Sequence, residues 1–174
     1  MLTKLSKKAR KLSVAYKYRK SSDKVACFWH LGSPNFGDDL NPFLFESFLH
    51  KKVYREAKQS QKHFLGVGSI LERANANSIV VGSGFIRPDG EMRQQGAKVL
   101  AVRGELTQAK LNMPGLLLGD PGILVPNRLG IVAKPEIEVA VVPHVDFYKP
   151  TQQMYGKDFL VVDPSKPFEQ VISE

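Results

Sequence analysis

Between residues 64 and 122 one phrase recurs: a short apolar run, mostly β-branched, that stops at glycine. Its instances are Phe64-Leu65-Gly66-Val67-Gly68-Ser69, Ile79-Val80-Val81-Gly82-Ser83-Gly84, Val99-Leu100-Ala101-Val102-Arg103-Gly104 and Leu116-Leu117-Leu118-Gly119-Asp120-Pro121-Gly122. A strand with one solvated face alternates apolar and polar residues. These runs are apolar throughout, as expected of parallel strands covered on both faces. Glycine at each C-terminal end permits a tight turn and a close backbone approach to a ligand. Helical patterns intervene over residues 41–49 and 105–111, the second closing near Asn112-Met113-Pro114. Alternating strands and helices predict an α/β domain with a Rossmann-like parallel sheet.

The same logic extends backwards to Val25–Trp29, an apolar run followed by Ser33-Pro34-Asn35-Phe36-Gly37-Asp38-Asp39-Leu40-Asn41-Pro42. Phe43, Leu44, Phe45, Phe48 and Leu49 then recur at helical spacing. Asn41 is expected to be the N-cap and Pro42 the first helical residue, where a missing N–H costs nothing. The loop would bring Asn35, Gly37, Asp38 and Asp39 to a strand end beside the positive end of a helix. Ligands bind at that edge in open α/β sheets. An ordinary strand-to-helix turn has the same composition.

Other strand ends supply further candidates, each with a plainer alternative. Ser69 and Ser83 can bond phosphate oxygens or complete turns. Arg103 is placed for a bidentate clamp on phosphate or carboxylate, or for an ion pair with Glu105. Asp120 reads first as a turn carboxylate bonding its own backbone. His144, after Val139-Ala140-Val141-Val142-Pro143, is an acid or base in a cleft, or a surface histidine. Positions 71 and 87 are Leu and Arg, so neither Gly-x-Gly has the third glycine of a dinucleotide fingerprint. No phosphate-binding Gly-x-x-x-x-Gly-Lys loop and no Gly-x-Ser-x-Gly elbow occurs. His30, His50, His63 and His144 lack metal-ligand spacing, and Cys27 is the single cysteine. Nicotinamide enzymes, NTPases, serine hydrolases and metalloenzymes lose ground; no cofactor and no metal are expected.

Composition matters chiefly through where the charge sits. The net charge of +8 belongs wholly to residues 1–24, which hold nine Lys/Arg and one Asp. In that segment Leu2, Leu5, Ala9, Leu12 and Tyr16 recur at spacings of three and four among the basic side chains. Such a helix fits an anionic membrane surface, or a solvated extension. Nucleic acid is disfavoured because the rest of the chain is neutral. Without a signal-peptide core or an apolar run of ~20 residues, a cytoplasmic setting is expected, peripheral on the inner face of the membrane. A break rich in Pro and Gly at residues 126–135 precedes Val139–His144 and Phe159-Leu160-Val161-Val162-Asp163-Pro164, with a helix from about Pro167. Three parts are expected: a basic segment over 1–24, a Rossmann-like domain over 25–134, and the truncated start of a second one over 135–174. Two strands cannot bury a core alone. This last part is expected to dock on the first domain, to be covered by a second chain, or to be mobile.

Six short motifs, in order, carry a resemblance. They are Asn35-Phe36-Gly37-Asp38-Asp39-Leu40-Asn41, Gly66-Val67-Gly68-Ser69-Ile70-Leu71, Val81-Gly82-Ser83-Gly84, Val102-Arg103-Gly104-Glu105-Leu106-Thr107, Leu118-Gly119-Asp120-Pro121 and Val142-Pro143-His144. Over residues 25 to about 172 the chain resembles the polysaccharide pyruvyl transferase family, above all its succinoglycan-type exopolysaccharide members. The resemblance implies two Rossmann-like domains in a GT-B-like arrangement with the active cleft between them. It implies transfer of pyruvate, as a ketal, from phosphoenolpyruvate to a glycan or lipid-linked saccharide acceptor. On that similarity Arg103 binds the donor, Asp38 belongs to the substrate cleft with His144 as a further catalytic candidate, and Gly68, Ser69, Gly82, Ser83 and Gly84 line the cleft. Asn35, Gly37, Asn41 and Asp120 are further substrate-binding candidates. The Ser/Arg-Leu-His-Gly motif of the family's second domain is missing, so this chain alone is expected to be inactive. Two alternatives stand beside this reading: a GT-B glycosyltransferase using a nucleotide sugar, and a non-catalytic binding or assembly module.

Overall fold

The computed structural model describes residues 4–92, 94–132 and 137–173. Leu2 and the expected boundary between residues 134 and 135 lie outside the described residues. Six strands form one parallel sheet: β1 (Val25–Phe28), β2 (Val53–Arg55), β3 (His63–Leu65), β4 (Ser78–Val81), β5 (Lys98–Val102) and β6 (Leu117–Leu118). Their order is β2-β1-β3-β4-β5-β6. The chain is thus a parallel α/β sheet domain consistent with a Rossmann-like fold. Each repeated apolar run supplies a strand, and the glycines that end the runs lie at one edge.

The two faces of the sheet carry separate cores. On one face Phe28, Leu65, Ile70, Leu71, Ala74, Val80 and Phe85 form a single cluster. On the other, helix α2 (Phe36–Leu49) buries Leu40 and Leu44 against Val67 and against Val125 of helix α4 (Val125–Leu129). The covering is thinner than the sequence pattern suggests. Only a short 3-10 turn, Leu71–Arg73, joins β3 to β4, and no described helix joins β4 to β5. Leu100, Leu117 and Leu118 consequently remain exposed. Helix α3 (Glu105–Leu111) follows β5 and ends at Asn112, whose left-handed backbone (φ 50°) caps it as expected.

The start of α2 corrects the sequence expectation. The N-cap is Asn35, six residues before Asn41, and its side chain accepts a hydrogen bond from the Gly37 N–H at 2.9 Å. Pro42 therefore lies inside the helix, where it cannot donate to the carbonyl of Asp38 four residues earlier. The Asn41 side chain supplies the missing donor, with its Nδ2 at 3.1 Å from the Asp38 carbonyl oxygen. The same nitrogen donates to the Val67 carbonyl at 3.0 Å. Asn41 is thus a fully buried staple between the first turns of α2 and the segment after β3.

Helix α1 (Lys4–Lys17) is docked rather than free. Val14 and Tyr18 pack on a cluster containing Trp29 and Val53, with the rings of Tyr18 and Trp29 edge-on at 5.2 Å. Arg10 donates from Nη2 to both carboxylate oxygens of Asp39, at 2.7 and 2.8 Å, and from Nη1 to the Gly32 carbonyl. Towards the C-terminus, β7 (Ala140–Val141), helix α5 (Tyr148–Tyr155) and β8 (Leu160–Val161) make a small parallel unit. Helix α6 (Phe168–Ser173) then packs on α2, with the rings of Phe43 and Phe168 at 5.0 Å. The Phe36 N–H also donates to the Pro164 carbonyl at 3.0 Å. Docking on the first sheet's helices is thus observed for α6, whereas Val139, Val142 and Phe159 of the preceding unit remain exposed.

The staple gives a testable coupling. Asn41→Leu should destabilise the fold by about 2–4 kcal/mol, because two carbonyls lose their donor in a buried setting. In a Pro42→Ala background the new amide can reach Asp38. The cost of Asn41→Leu should then fall by about 1 kcal/mol in a urea-denaturation double-mutant cycle.

Candidate functional site

β1 is flanked by β2 on one side and β3 on the other, so the connections leaving the β1 and β3 ends diverge. At such a switch point the C-terminal edge of a parallel sheet opens a crevice. Here the crevice is a cleft of about 560 Å³. Asn35, Gly37, Asp38, Gly68, Ser69, Arg103 and His144 line it, together with His30, Ser33, Glu72, Arg73 and Asp146. Residues from the β1, β3 and β5 ends and from the loop after β7 thus share one cavity.

Asp38 lies in the first turn of α2 and faces Gly68, where a Cβ would sit 3.5 Å from its Oδ1. Gly68 also has φ 111°, a backbone region that side-chain-bearing residues rarely adopt. No described residue donates a hydrogen bond to the Asp38 carboxylate. Burial, followed by the neighbouring charge of Asp39, pushes its pKa up to about 6, against an opposing pull from Arg10. A carboxyl with this pKa can both give and take a proton near neutrality.

Arg103 points across the cleft mouth. Its Nη1 donates to Ser69 Oγ at 2.7 Å and its Nη2 to the Phe85 carbonyl at 3.1 Å. A Cβ at Gly84 would come within 2.9 Å of Nε, so the guanidinium lies against that glycine. Among the described residues no carboxylate pairs with it, and the alternative reading of an ion pair with Glu105 is not realised. His144 accepts the Asp146 N–H at Nδ1. On the far wall, burial and then the charges of Arg73, Arg55, Arg10 and Lys11 lower the pKa of His30.

The remaining sequence candidates have their polar groups turned on the chain itself. Ser83 is fully buried and donates to the Gly68 carbonyl at 2.9 Å. Asp120 accepts the Gly122 N–H at 2.9 Å, as a turn carboxylate does. Gly82 packs where a Cβ would collide with Pro121. Asn41 is the staple behind Asp38. Cys27 and His63 are core residues; burial pushes the thiol up, and His63 is bonded to Ser78 and Gln61. Sequence reasoning passed over His30 and Arg73 as cleft residues. The signal for His30 was its position directly after the β1 run; Arg73 had none. Among the described residues no group of three or more His, Cys, Asp or Glu is placed to hold a metal ion.

A parallel α/β domain with a cleft at its switch point defines a class, and two curated proteins narrow it. The chain is 35% identical over 108 residues to the "Succinoglycan biosynthesis protein ExoV" of Rhizobium meliloti (strain 1021), covering 56% of this chain and 32% of that protein. It is 30% identical over 120 residues to the "Uncharacterized protein L143" of Acanthamoeba polyphaga mimivirus, covering 63% of this chain and 42% of that one. The chain is thus distantly homologous to an ExoV-like succinoglycan biosynthesis protein, and the matches span about a third and two fifths of these relatives. No protein-family model matches, and no solved structure matches.

The raised pKa of Asp38 has a stability signature. Its folded-state value lies above the ordinary 3.8, so the folded chain binds this proton more tightly than the unfolded one. The associated stability is present below about pH 3.8 and is lost as pH rises to about 6. Asp38→Asn should match the parent at acid pH and exceed it by about 2–3 kcal/mol above pH 6. Urea denaturation across that range measures the difference.

Proposed function

We propose that the cleft binds phosphoenolpyruvate and that the chain contributes the donor side of a pyruvyl transferase. The acceptor is a sugar of an exopolysaccharide or other cell-surface glycan precursor, free or lipid-linked. The observation that carries this reading is the pairing, in one cavity, of a proton-exchanging carboxyl with an arginine that has no acidic partner, in a chain related to a succinoglycan biosynthesis protein.

Ketal formation needs these two kinds of group. C3 of the enol takes up a proton, and C2 becomes electron-poor and is attacked by a sugar hydroxyl. The hydroxyl loses its proton, giving a tetrahedral carbon that still bears phosphate. A second hydroxyl then displaces the phosphate and closes the ring, so that one hydroxyl proton ends on C3 and the other on the leaving phosphate. Asp38, protonated at the outset, gives the proton to C3 and as carboxylate recovers one from the attacking hydroxyl. Arg103 holds the donor's carboxylate or phosphate, and Arg73 adds a second positive charge. His144, on the cleft wall, is the candidate to assist departure of the phosphate. In the GT-B-like arrangement that the resemblance implies, the β7–β8 unit stands across the cleft from the β1 and β3 ends.

Arg103→Ala should weaken phosphoenolpyruvate binding roughly ten- to a hundredfold, the equivalent of about 1.5–3 kcal/mol for a charge-assisted bond. Arg103→Lys should recover little of it, since a point charge replaces a planar fork. Isothermal calorimetry on the 174-residue chain tests this. Unchanged affinity in Arg103→Ala removes the arginine from the site. Saturable binding of a uridine or guanosine nucleotide sugar, with none of phosphoenolpyruvate, replaces this reading with a glycosyltransferase.

A further inference from the structure

We propose that the outward face of α1 is a docking surface for an anionic lipid bilayer. The helix has two faces with different tasks. Lys7, Arg10, Val14 and Tyr18 recur at spacings of three and four and turn towards the protein, each at least partly buried. Half a turn away, at about 100° per residue, lie Ala9, Leu12 and Tyr16. Leu12 is 63% and Tyr16 80% exposed, although they belong to the most apolar stripe of the helix.

An amphipathic helix docked on its own protein normally buries that stripe. Here the docking is done by the opposite face: Arg10 is held by Asp39 and the Gly32 carbonyl, and Val14 and Tyr18 sit in the cluster around Trp29. The apolar stripe is therefore fixed outwards and cannot turn inwards without breaking those contacts. Lys8 and Lys11 lie on one side of it, and Lys17 on the other, all exposed. Apolar side chains in the middle with cations on both flanks match the layered chemistry of a lipid surface, acyl chain below and anionic headgroup around. A nucleic-acid backbone would use the cations but leave the central stripe without a partner. The rest of the chain is electrically balanced, so the net positive charge belongs to the segment that contains this helix.

The test is cosedimentation of the full chain with phosphatidylcholine vesicles, with and without phosphatidylserine. Binding should require phosphatidylserine and be reversed by salt, since exposed charges are screened within ~10 Å at 0.1 M. Leu12→Ser with Tyr16→Ser should lower the affinity tenfold or more and leave thermal stability unchanged, because both side chains are exposed. Lys8→Gln with Lys11→Gln should lower it about fivefold per lysine. In Tyr16→Trp, the new indole emission should shift to the blue on adding vesicles. Equal binding by the Leu12/Tyr16 variant, equal binding to neutral vesicles, or retention of a duplex oligonucleotide without vesicle binding would each overturn the proposal.

Discussion

The carboxamide of Asn41 holds the site together. Its nitrogen donates both to the Asp38 carbonyl, which Pro42 leaves without a helical partner, and to the Val67 carbonyl just past β3. One buried amide thereby ties the first turns of α2 to the β3 loop, the two walls of the switch-point cleft. The backbone of Asp38 is fixed in this way, and its carboxylate lies over Gly68 with no hydrogen bond from any described residue. A carboxyl held by its backbone, and not by donors to its oxygens, keeps a raised pKa. The local rule that Pro42 breaks is thus compensated by its neighbour, and the compensation reaches into the cleft.

Two adjacent acids in α2 receive opposite treatment. Asp39 faces Arg10 and is paired; Asp38 faces the cleft and is not. The Arg10 pair fastens α1 to the protein and, by partly neutralising Asp39, limits how far Asp38 is pushed up. The basic helix and the candidate site are therefore linked through one ion pair. Displacing α1 would leave Asp39 uncompensated beside Asp38 and draw the latter's pKa higher still.

Much of this was legible in the chain. Strands β1 and β3 to β6 follow from unbroken apolar runs, which show no alternation even where, as at Leu100, Leu117 and Leu118, the structure leaves the side chains exposed. β2 was not legible: Val53-Tyr54-Arg55 is three residues long and follows Lys51-Lys52. The start of α2 was misread because Pro42 imitates a first helical residue; Asn35, with Asp38 and Asp39 in the first turn after it, was the truer cap signal. Strand-end positions brought Asn35, Gly37, Asp38, Gly68, Ser69, Arg103 and His144 to one cleft. Sequence alone could not separate Ser69, which faces that cleft, from Ser83, whose hydroxyl turns back to the Gly68 carbonyl. Both are serines among glycines at strand ends, and only the path of the backbone distinguishes them.

The central claim is that Asp38 carries an exchangeable proton beside a bound anionic donor. An anion entering the cleft disfavours the Asp38 carboxylate, so the site should take up a proton as phosphoenolpyruvate binds. Calorimetry near neutral pH in buffers of different ionisation enthalpy counts that proton, and Asp38→Asn subtracts the contribution of the ligand's own phosphate. The account predicts that the parent chain takes up a fraction of a proton more than Asp38→Asn does. Phosphoenolpyruvate binding with the same proton count in both proteins would contradict it.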